Sequence, residues 1–317
     1  MNHLPALHDI EAAASRISSV IHRTPIFTSR YFDEQTNGSI FFKCENFQRT
    51  GSFKFRGASN AVLSLDEKTA KKGVATHSSG NHGQAVARAA QLRGIPATIV
   101  MPAYAPDIKK RAVRGYGATI VECQNSLQSR EETLQQVLEQ TGATFIHPYN
   151  QIEVICGQGT CAMELLDELP DLDTIITPVG GGGLLSGTAI YTKSIKPHIT
   201  VIGAEPAEAD DACRSFRAGR HITDGNRETV ADGLRATLGP LTFTVIHSTA
   251  DAIVTVSEEA IIHAMRTVWE RLNIIIEPSC AVPVAALLER AMDTEGKRIG
   301  VILTGGNLDL DRLPWQK

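Results

Sequence analysis

The sequence predicts an α/β fold built on parallel sheets with helices on both faces. Three observations carry that prediction. Short runs rich in β-branched residues alternate with stretches of helical periodicity along most of the 317 residues. The runs enter loops rich in glycine, proline or acidic residues, as strand ends in such sheets do. Hydrophobic residues make up 42% of the chain and charged residues 21%, the balance of a soluble globular protein.

Taken in chain order, residues 73–76 read as a strand, 78–80 as a loop and 81–93 as a helix that Gly94 stops. Residues 98–101 form the next strand, 106–114 a helix ended by Gly115, and 118–122 another strand. Ser129-Arg130-Glu131-Glu132 has the form of a capping box opening a helix that Gly142 closes. Further strands are expected at 174–179, 201–204 and 300–303. Ligands in such sheets bind beyond the carboxyl ends of strands, where loops 78–82, 180–183, 205–211 and 304–307 lie. No linker or internal repeat divides the chain, so any boundary follows topology. Residues 69–148 are expected to form a small domain inserted into a large one made of 1–68 and 149–317.

A net charge of −4 and a pI near 6.2 argue against nucleic acid or an anionic membrane as partner. No apolar run approaches the roughly 20 residues that span a bilayer. The N-terminal residues lack the apolar core of a secretory signal, so a cytoplasmic protein is expected. The six cysteines, at 44, 123, 156, 161, 213 and 280, have no paired spacing and read as buried, reduced thiols.

Gly51-Ser52-Phe53-Lys54-Phe55-Arg56-Gly57 sets one lysine between aromatic neighbours and small flanks. An ammonium deprived of water there loses pKa, and its neutral amine can attack a carbonyl carbon. The plainer possibility is a loop lysine whose stem covers a phenylalanine. Gly180-Gly181-Gly182-Gly183 tips the balance, because four glycines after an apolar run let backbone N–H groups wrap a phosphate. A dinucleotide fingerprint fails in both registers, since Leu185 and Ser186 stand where glycine is required. A carbonyl-reactive lysine with a phosphate cradle suggests pyridoxal phosphate.

Ser78-Ser79-Gly80-Asn81-His82 gathers hydroxyls, an amide and backbone donors at a helix start, which suits a substrate carboxylate. Simple N-capping would need only one of them. In Thr304-Gly305-Gly306-Asn307 a hydroxyl can hydrogen-bond a heteroaromatic nitrogen, while Asn307 reads as a turn residue. Glu205-Pro206-Ala207-Glu208-Ala209-Asp210-Asp211 crowds four carboxylates, either as a solvated turn or as hard oxygen ligands for a cation. His77 and His147 read as rim or core histidines.

Together these motifs resemble, in order and over almost the whole length, the fold-type II pyridoxal-phosphate enzymes of the serine racemase and serine/threonine dehydratase family. Gln158-Gly159-Thr160 and Ala231-Asp232-Gly233 match further landmarks. The resemblance implies two open, twisted, mostly parallel sheets, with the large domain binding pyridoxal 5'-phosphate and the small one the substrate. It implies that Lys54 is the Schiff-base lysine, Phe53 packs against the cofactor and Asn81 meets the ring hydroxyl. It places Gly180, Gly181, Gly182 and Gly183 at the phosphate, Gly233 along the ring and Thr304 at the pyridine nitrogen. Serine is more usual at that last position.

Ser79 matches the second acid/base of racemases. Glu205, Asp211 and the Ala209 carbonyl match a divalent-cation site for Mg²⁺, Ca²⁺ or Mn²⁺, which favours the ligand reading of the acidic run. A homodimer is expected, and no appended regulatory domain. Cys123, Ser129 to Thr133, Glu277-Pro278-Ser279 and the segment from Asp309 to Trp315 bring the chain closest to bacterial 3-hydroxyaspartate dehydratases. The expected reaction is β-elimination from a β-hydroxy amino acid, 3-hydroxyaspartate or else L-serine or L-threonine, with serine or aspartate racemisation as the alternative. Ser78, Ser79, Gly80, Asn81 and His82 would hold the α-carboxylate. Arg130, His82 or Arg235 could hold a second one.

Overall fold

The computed structural model describes residues 4–105, 107–226 and 228–316. Its ten strands are β1 Ile26–Thr28, β2 Ser39–Cys44, β3 Val74–His77, β4 Ala97–Pro102, β5 Thr119–Cys123, β6 Thr144–Phe145, β7 Thr174–Pro178, β8 Thr200–Pro206, β9 Ala252–Val256 and β10 Arg298–Leu303. They form two sheets, one of order β1-β2-β10-β7-β8-β9 and one of order β5-β4-β3-β6. Every neighbouring pair is parallel except β1 with β2. The α/β expectation holds, and the smaller sheet is made wholly from within residues 74–145.

Burial explains the parallel pairing. All five residues of β7 are buried, as are five of six in β10, the pattern of strands covered on both faces. Val301 and Leu303 join one apolar cluster with Phe32, Ile176 and Val268, while Ile302 joins another with Ile10 and Leu165. A third cluster, around Phe55, Ile99 and Ile146, packs the lysine's helix against the smaller sheet. The described cysteines are all unpaired and buried.

Predicted strand and helix edges fall within a few residues of those observed. The helix Asn81–Arg93 ends at Gly94 in the left-handed region, as expected. For the helix Asp107–Gly115, the start expected at Pro106 lies outside the described residues. One cap is corrected. The helix Leu127–Thr141 is capped by Ser126, whose side chain accepts from the Ser129 N–H, so the box expected at Ser129 is not the helix start. The Ser129 hydroxyl accepts from the Gln124 N–H instead, at 3.1 Å.

The loops singled out as ligand positions do follow strands β3, β7, β8 and β10 at their carboxyl ends. An ion pair, Lys109 with Asp232 at 3.3 Å, reaches from the helix beside β4 to the loop that carries Gly233.

Candidate active site

Lys54 is the first residue of the helix Lys54–Leu63, not part of a flexible loop. Backbone contacts stitch that start to the end of β10. Phe53 N–H donates to the Thr304 carbonyl and Gly306 N–H to the Gly51 carbonyl, each at 3.0 Å, and Ser52 bridges to Gly305. The Lys54 amine donates to the Pro148 carbonyl at 2.9 Å and lies 5.1 Å from the centre of the Phe53 ring. Burial pulls its pKa down to about 8, against the opposing field of Glu277. About a tenth of the amine is therefore neutral at pH 7.

Two residues on, Arg56 is fully buried and every N–H of its guanidinium has an acceptor. Glu45 accepts from Nε at 2.7 Å and Nη2 at 2.8 Å, and Glu164 from Nη1 at 2.7 Å and Nη2 at 2.8 Å. Thr160 takes the fifth, at 3.2 Å. Lys43 donates to Glu164 and to the Thr24 carbonyl, both at 2.7 Å. Two cations thus face two carboxylates with their hydrogen bonds satisfied, the condition under which a buried charge group is tolerated. The turn bearing Lys54 is pinned by it to the turn after β2 and to the helix Ile152–Glu168.

Gly180–Gly183 turn from β7 into the helix Gly183–Ile195. Gly182 has φ +87°, a conformation that favours glycine, and at Gly181 the Tyr149 ring occupies the place of any side chain. The Gly181 carbonyl accepts from the Thr242 hydroxyl at 2.8 Å. The helix start offers unpaired N–H groups and the positive end of its dipole, which a phosphate dianion fits. Gly180 packs on Leu234 beside Gly233, whose N–H donates to the Ser279 hydroxyl at 2.9 Å. Thr304 is buried at the end of β10, within hydrogen-bonding range of the Cys280 thiol.

Asn81 opens its helix with both ends of its amide engaged. Its nitrogen donates to Glu277 Oε1 at 2.7 Å, and its oxygen accepts from Asn307 Nδ2 at 2.9 Å. Asn307, expected only to shape a turn, therefore orients Asn81, and it also donates to the Thr50 carbonyl at 2.6 Å. Burial first, and then Asp232, raise the Glu277 carboxyl to about 8. Ser79 sits half-buried between Ser78 and Gly80, and the Gly80 N–H donates to the Ser78 hydroxyl at 3.3 Å.

His82 departs from expectation as a carboxylate ligand. Its Nε2 lies 2.9 Å from the Ile146 carbonyl, an acceptor, so that nitrogen carries the proton. Burial pushes its pKa down to about 3, leaving a neutral ring whose buried Nδ1 is an acceptor without a hydrogen-bond partner. Such a nitrogen repels a carboxylate. Arg235 is also committed, with Nε and Nη2 donating to the Thr229 carbonyl at 3.2 and 2.6 Å. Arg130 differs from both. Its Nη2 is 3.5 Å from Asn125 Oδ1, and its buried Nε has no hydrogen-bond partner. It acts electrostatically on His77, while His77 and Lys54 both act on His147. The rings between them are in contact, His77 stacking on Phe145 at 5.7 Å between centres and Phe145 meeting His147 at 5.4 Å.

In the acidic run, Glu205 is the penultimate residue of β8 and accepts the backbone N–H groups of Ala212 and Cys213 at 3.1 and 2.9 Å. Asp211 accepts from Leu238 N–H at 3.4 Å, and Ala209 is wholly buried. Burial above all, with Asp211 adding, raises the Glu205 carboxyl to about 9. A buried carboxyl that holds its proton beside Asp211 is not a solvated turn, and a divalent cation would suit the pair once Glu205 is ionised. Among the described residues no three His, Cys, Asp or Glu side chains cluster as a metal cage, so carbonyl oxygens would have to complete it.

Residues 17–305 match the family described as pyridoxal-phosphate-dependent enzyme. The chain belongs to that family. It is 51% identical over 313 residues to the β-hydroxyaspartate dehydratase of Paracoccus denitrificans (strain Pd 1222), covering 99% of both chains. The crystal structure of serine racemase from Dictyostelium discoideum superposes with a TM-score of 0.92 at 48% identity, over 96% of this chain and 99% of that one. The crystal structure of T.th. threonine deaminase superposes with a TM-score of 0.91 at 42% identity, over 97% of this chain and 100% of that one.

For a pyridoxal-phosphate enzyme the residues fit their cofactor. A lysine with a depressed pKa stands beside a glycine cradle at a helix start. What sequence reasoning did not assign is the set of supports: Pro148, Tyr149, Glu277, Asn307 and the cage around Arg56. For Pro148 and Tyr149 a signal existed, because they follow β6 at the same strand ends as the other loops.

Proposed function

We propose that the protein is an ammonia-lyase that removes water from a β-hydroxy amino acid, with 3-hydroxyaspartate as its substrate and L-serine or L-threonine as poorer ones. The observation that carries the choice is Arg130, a partly buried guanidinium whose Nε lacks an acceptor. Leaving such a donor unmatched is costly, and a second substrate carboxylate would relieve it. The identity to a β-hydroxyaspartate dehydratase over the full length supports the same choice.

Bound pyridoxal phosphate supplies an electrophilic carbonyl for the substrate amine and a sink for the electron pair left at Cα. Gly180 to Gly183 would hold its phosphate, Asn81 its ring hydroxyl, Thr304 its pyridine nitrogen, and Gly233 and Phe53 would flank it. Ser78, Ser79, Gly80 and Asn81 receive the α-carboxylate, and Arg130 the β-carboxylate. The neutral Lys54 amine takes the Cα proton, with one of its N–H groups aimed at the Pro148 carbonyl. That proton is then passed to the departing β-hydroxyl, which leaves as water, and the released enamine tautomerises to an imine that water hydrolyses to oxaloacetate and ammonia.

In this scheme residues 1–68 and 149–317 carry the cofactor and 69–148 the substrate loop. A Mg²⁺, Ca²⁺ or Mn²⁺ ion would bind Glu205, Asp211 and the Ala209 carbonyl. A homodimer would cover Phe47 and Ile275, which are exposed and linked through Asn46.

The test is ammonia release and product chirality over the isomers of 3-hydroxyaspartate, serine, threonine and aspartate. Lys54→Ala should lose turnover and the borohydride-fixed cofactor together. Arg130→Ala should raise KM for 3-hydroxyaspartate about 10- to 100-fold and leave that for serine nearly unchanged. Equal losses on both substrates would refute the second-carboxylate role.

A further inference from the structure

Four consecutive residues past β6 each hold a different part of the site, and the first is a histidine without a role in the proposed reaction. His147 Nδ1 accepts the backbone N–H groups of Tyr149 at 3.2 Å and Asn150 at 2.9 Å. The backbone N–H of His147 donates to Gln151 Oε1 at 3.0 Å. The side chain thereby closes a tight turn over its own following backbone, as the shorter Asn and Asp side chains do in Asx turns.

That turn fixes three groups. The Pro148 carbonyl accepts from the Lys54 amine at 2.9 Å. The Tyr149 ring stands edge-on to His147, with centres 4.7 Å apart, and backs Gly181. Asn150 Oδ1 accepts the N–H groups of Leu241 at 3.0 Å and Thr242 at 3.4 Å, and the Thr242 hydroxyl in turn holds the Gly181 carbonyl.

We propose that His147 is a positioning residue for Lys54, its Nδ1 lone pair setting the turn that presents the Pro148 carbonyl to the amine. The inference rests on Lys54 serving as the base. An amine that gives one N–H to a fixed carbonyl has its lone pair held in one direction, and a misplacement of about 1 Å can cost a hundredfold in rate. The role requires the Nε2–H tautomer, since a proton on Nδ1 would face two N–H donors. Burial, with His77 and Lys54 adding, pushes the ring's pKa down to about 4, so that nitrogen stays an acceptor at neutral pH.

Side-chain geometry gives the test. Asn Oδ1 stands as many bonds from Cα as His Nδ1, whereas Gln Oε1 reaches one bond further, towards the place of Nε2. Full-length His147→Asn and His147→Gln would be compared with wild type in three ways. These are the rate at which the cofactor-stripped chain captures pyridoxal phosphate, followed by absorbance, the kcat and KM for ammonia release, and the thermal midpoint. The Asn variant should stay within about threefold of wild type in capture rate and kcat. The Gln variant should fall about tenfold or more in both, with KM and midpoint little changed.

Three results would overturn the proposal. Gln could outperform Asn, which would point to Nε2. Both variants could match wild type. Or both could lose capture in step with thermal stability, which would mean a general packing role. Should wild type release no ammonia from any hydroxy amino acid, the proposed reaction fails, while the capture comparison still decides the role of His147.

Discussion

Elimination needs one proton acceptor at Cα, whereas inversion needs an acceptor on one face and a donor on the other. Lys54 is the acceptor proposed above. Ser79, half-buried in the loop before Asn81, is the group offered for the second face. A serine hydroxyl is far too weak an acid unaided, so a neighbouring phosphate would have to tune it; His82 cannot, because its one proton is given to the Ile146 carbonyl. Ser79→Ala should therefore abolish interconversion of enantiomers and keep ammonia release within about threefold. Chiral chromatography of remaining substrate, beside an ammonia assay, reads both. A proportional loss of the two activities would make Ser79 a substrate-holding group instead. Lys54 and Ser79 could be singled out as candidates in the sequence because each sits in a short motif whose chemistry is local. The places of Glu277 and Asn307 were not legible, since their contacts with Asn81 exist only once distant loops meet.

The helix that carries Lys54 owes its position to the Arg56 cage, which no local pattern announces. In the sequence Arg56 is one more basic residue after a lysine, yet its partners lie on the turn after β2 and the helix Ile152–Glu168. Arg56→Lys should cost about 3 kcal/mol or more in urea unfolding, because an ammonium cannot serve both Glu45 and Glu164 in the fork geometry. A loss below about 1 kcal/mol would show the cage to be replaceable by a point charge. The misplaced cap has a local origin. Ser126 and Ser129 both precede helical sequence, and the turn before the helix gives the Ser129 hydroxyl to the Gln124 N–H, five residues away.

At the end of β8 the acidic run makes its own prediction. The folded chain keeps the Glu205 proton up to about pH 9, while the unfolded chain releases it near 4.5. Without a cation, stability should therefore fall as pH rises between those values. Mg²⁺ should raise the thermal midpoint relative to chelator by an amount that grows with pH, reaching about 5 °C at saturation. A midpoint indifferent to both pH and chelator would return the run to a purely structural role.

For the molecule as a whole, the alternation of strand and helix was legible because central strands such as β7 and β10 are covered on both faces and read as continuous apolar runs. The antiparallel β1, its partner β2, the two-residue β6 and the edge strand β9 were missed; β1 and β6 are short and β9 is only half-buried, while β2 is mostly buried but carries Lys43 within its apolar run. The inserted position of the smaller sheet followed from topology, and its strands bear on how the chain assembles. β3 opens that sheet and β6 closes it, and the two pair side by side through Val74 with Thr144 and Ala75 with Phe145. The chain therefore leaves the larger sheet and returns to it at almost one point. Gly57 and Gln158, which meet through a hydrogen bond, are 101 residues apart in sequence. Once the smaller sheet has formed, the effective loop between them shrinks to roughly 30 residues, which lowers the entropic cost of closure by about 1 kcal/mol. Early formation of the smaller sheet should thus hasten assembly of the lysine's surroundings. Destabilising its core with Ile99→Ala should slow refolding, read by stopped-flow fluorescence, more than it speeds unfolding. The segment proposed to carry the substrate loop would then also be the one that brings the two ends of the larger sheet's scaffold within reach of each other during folding.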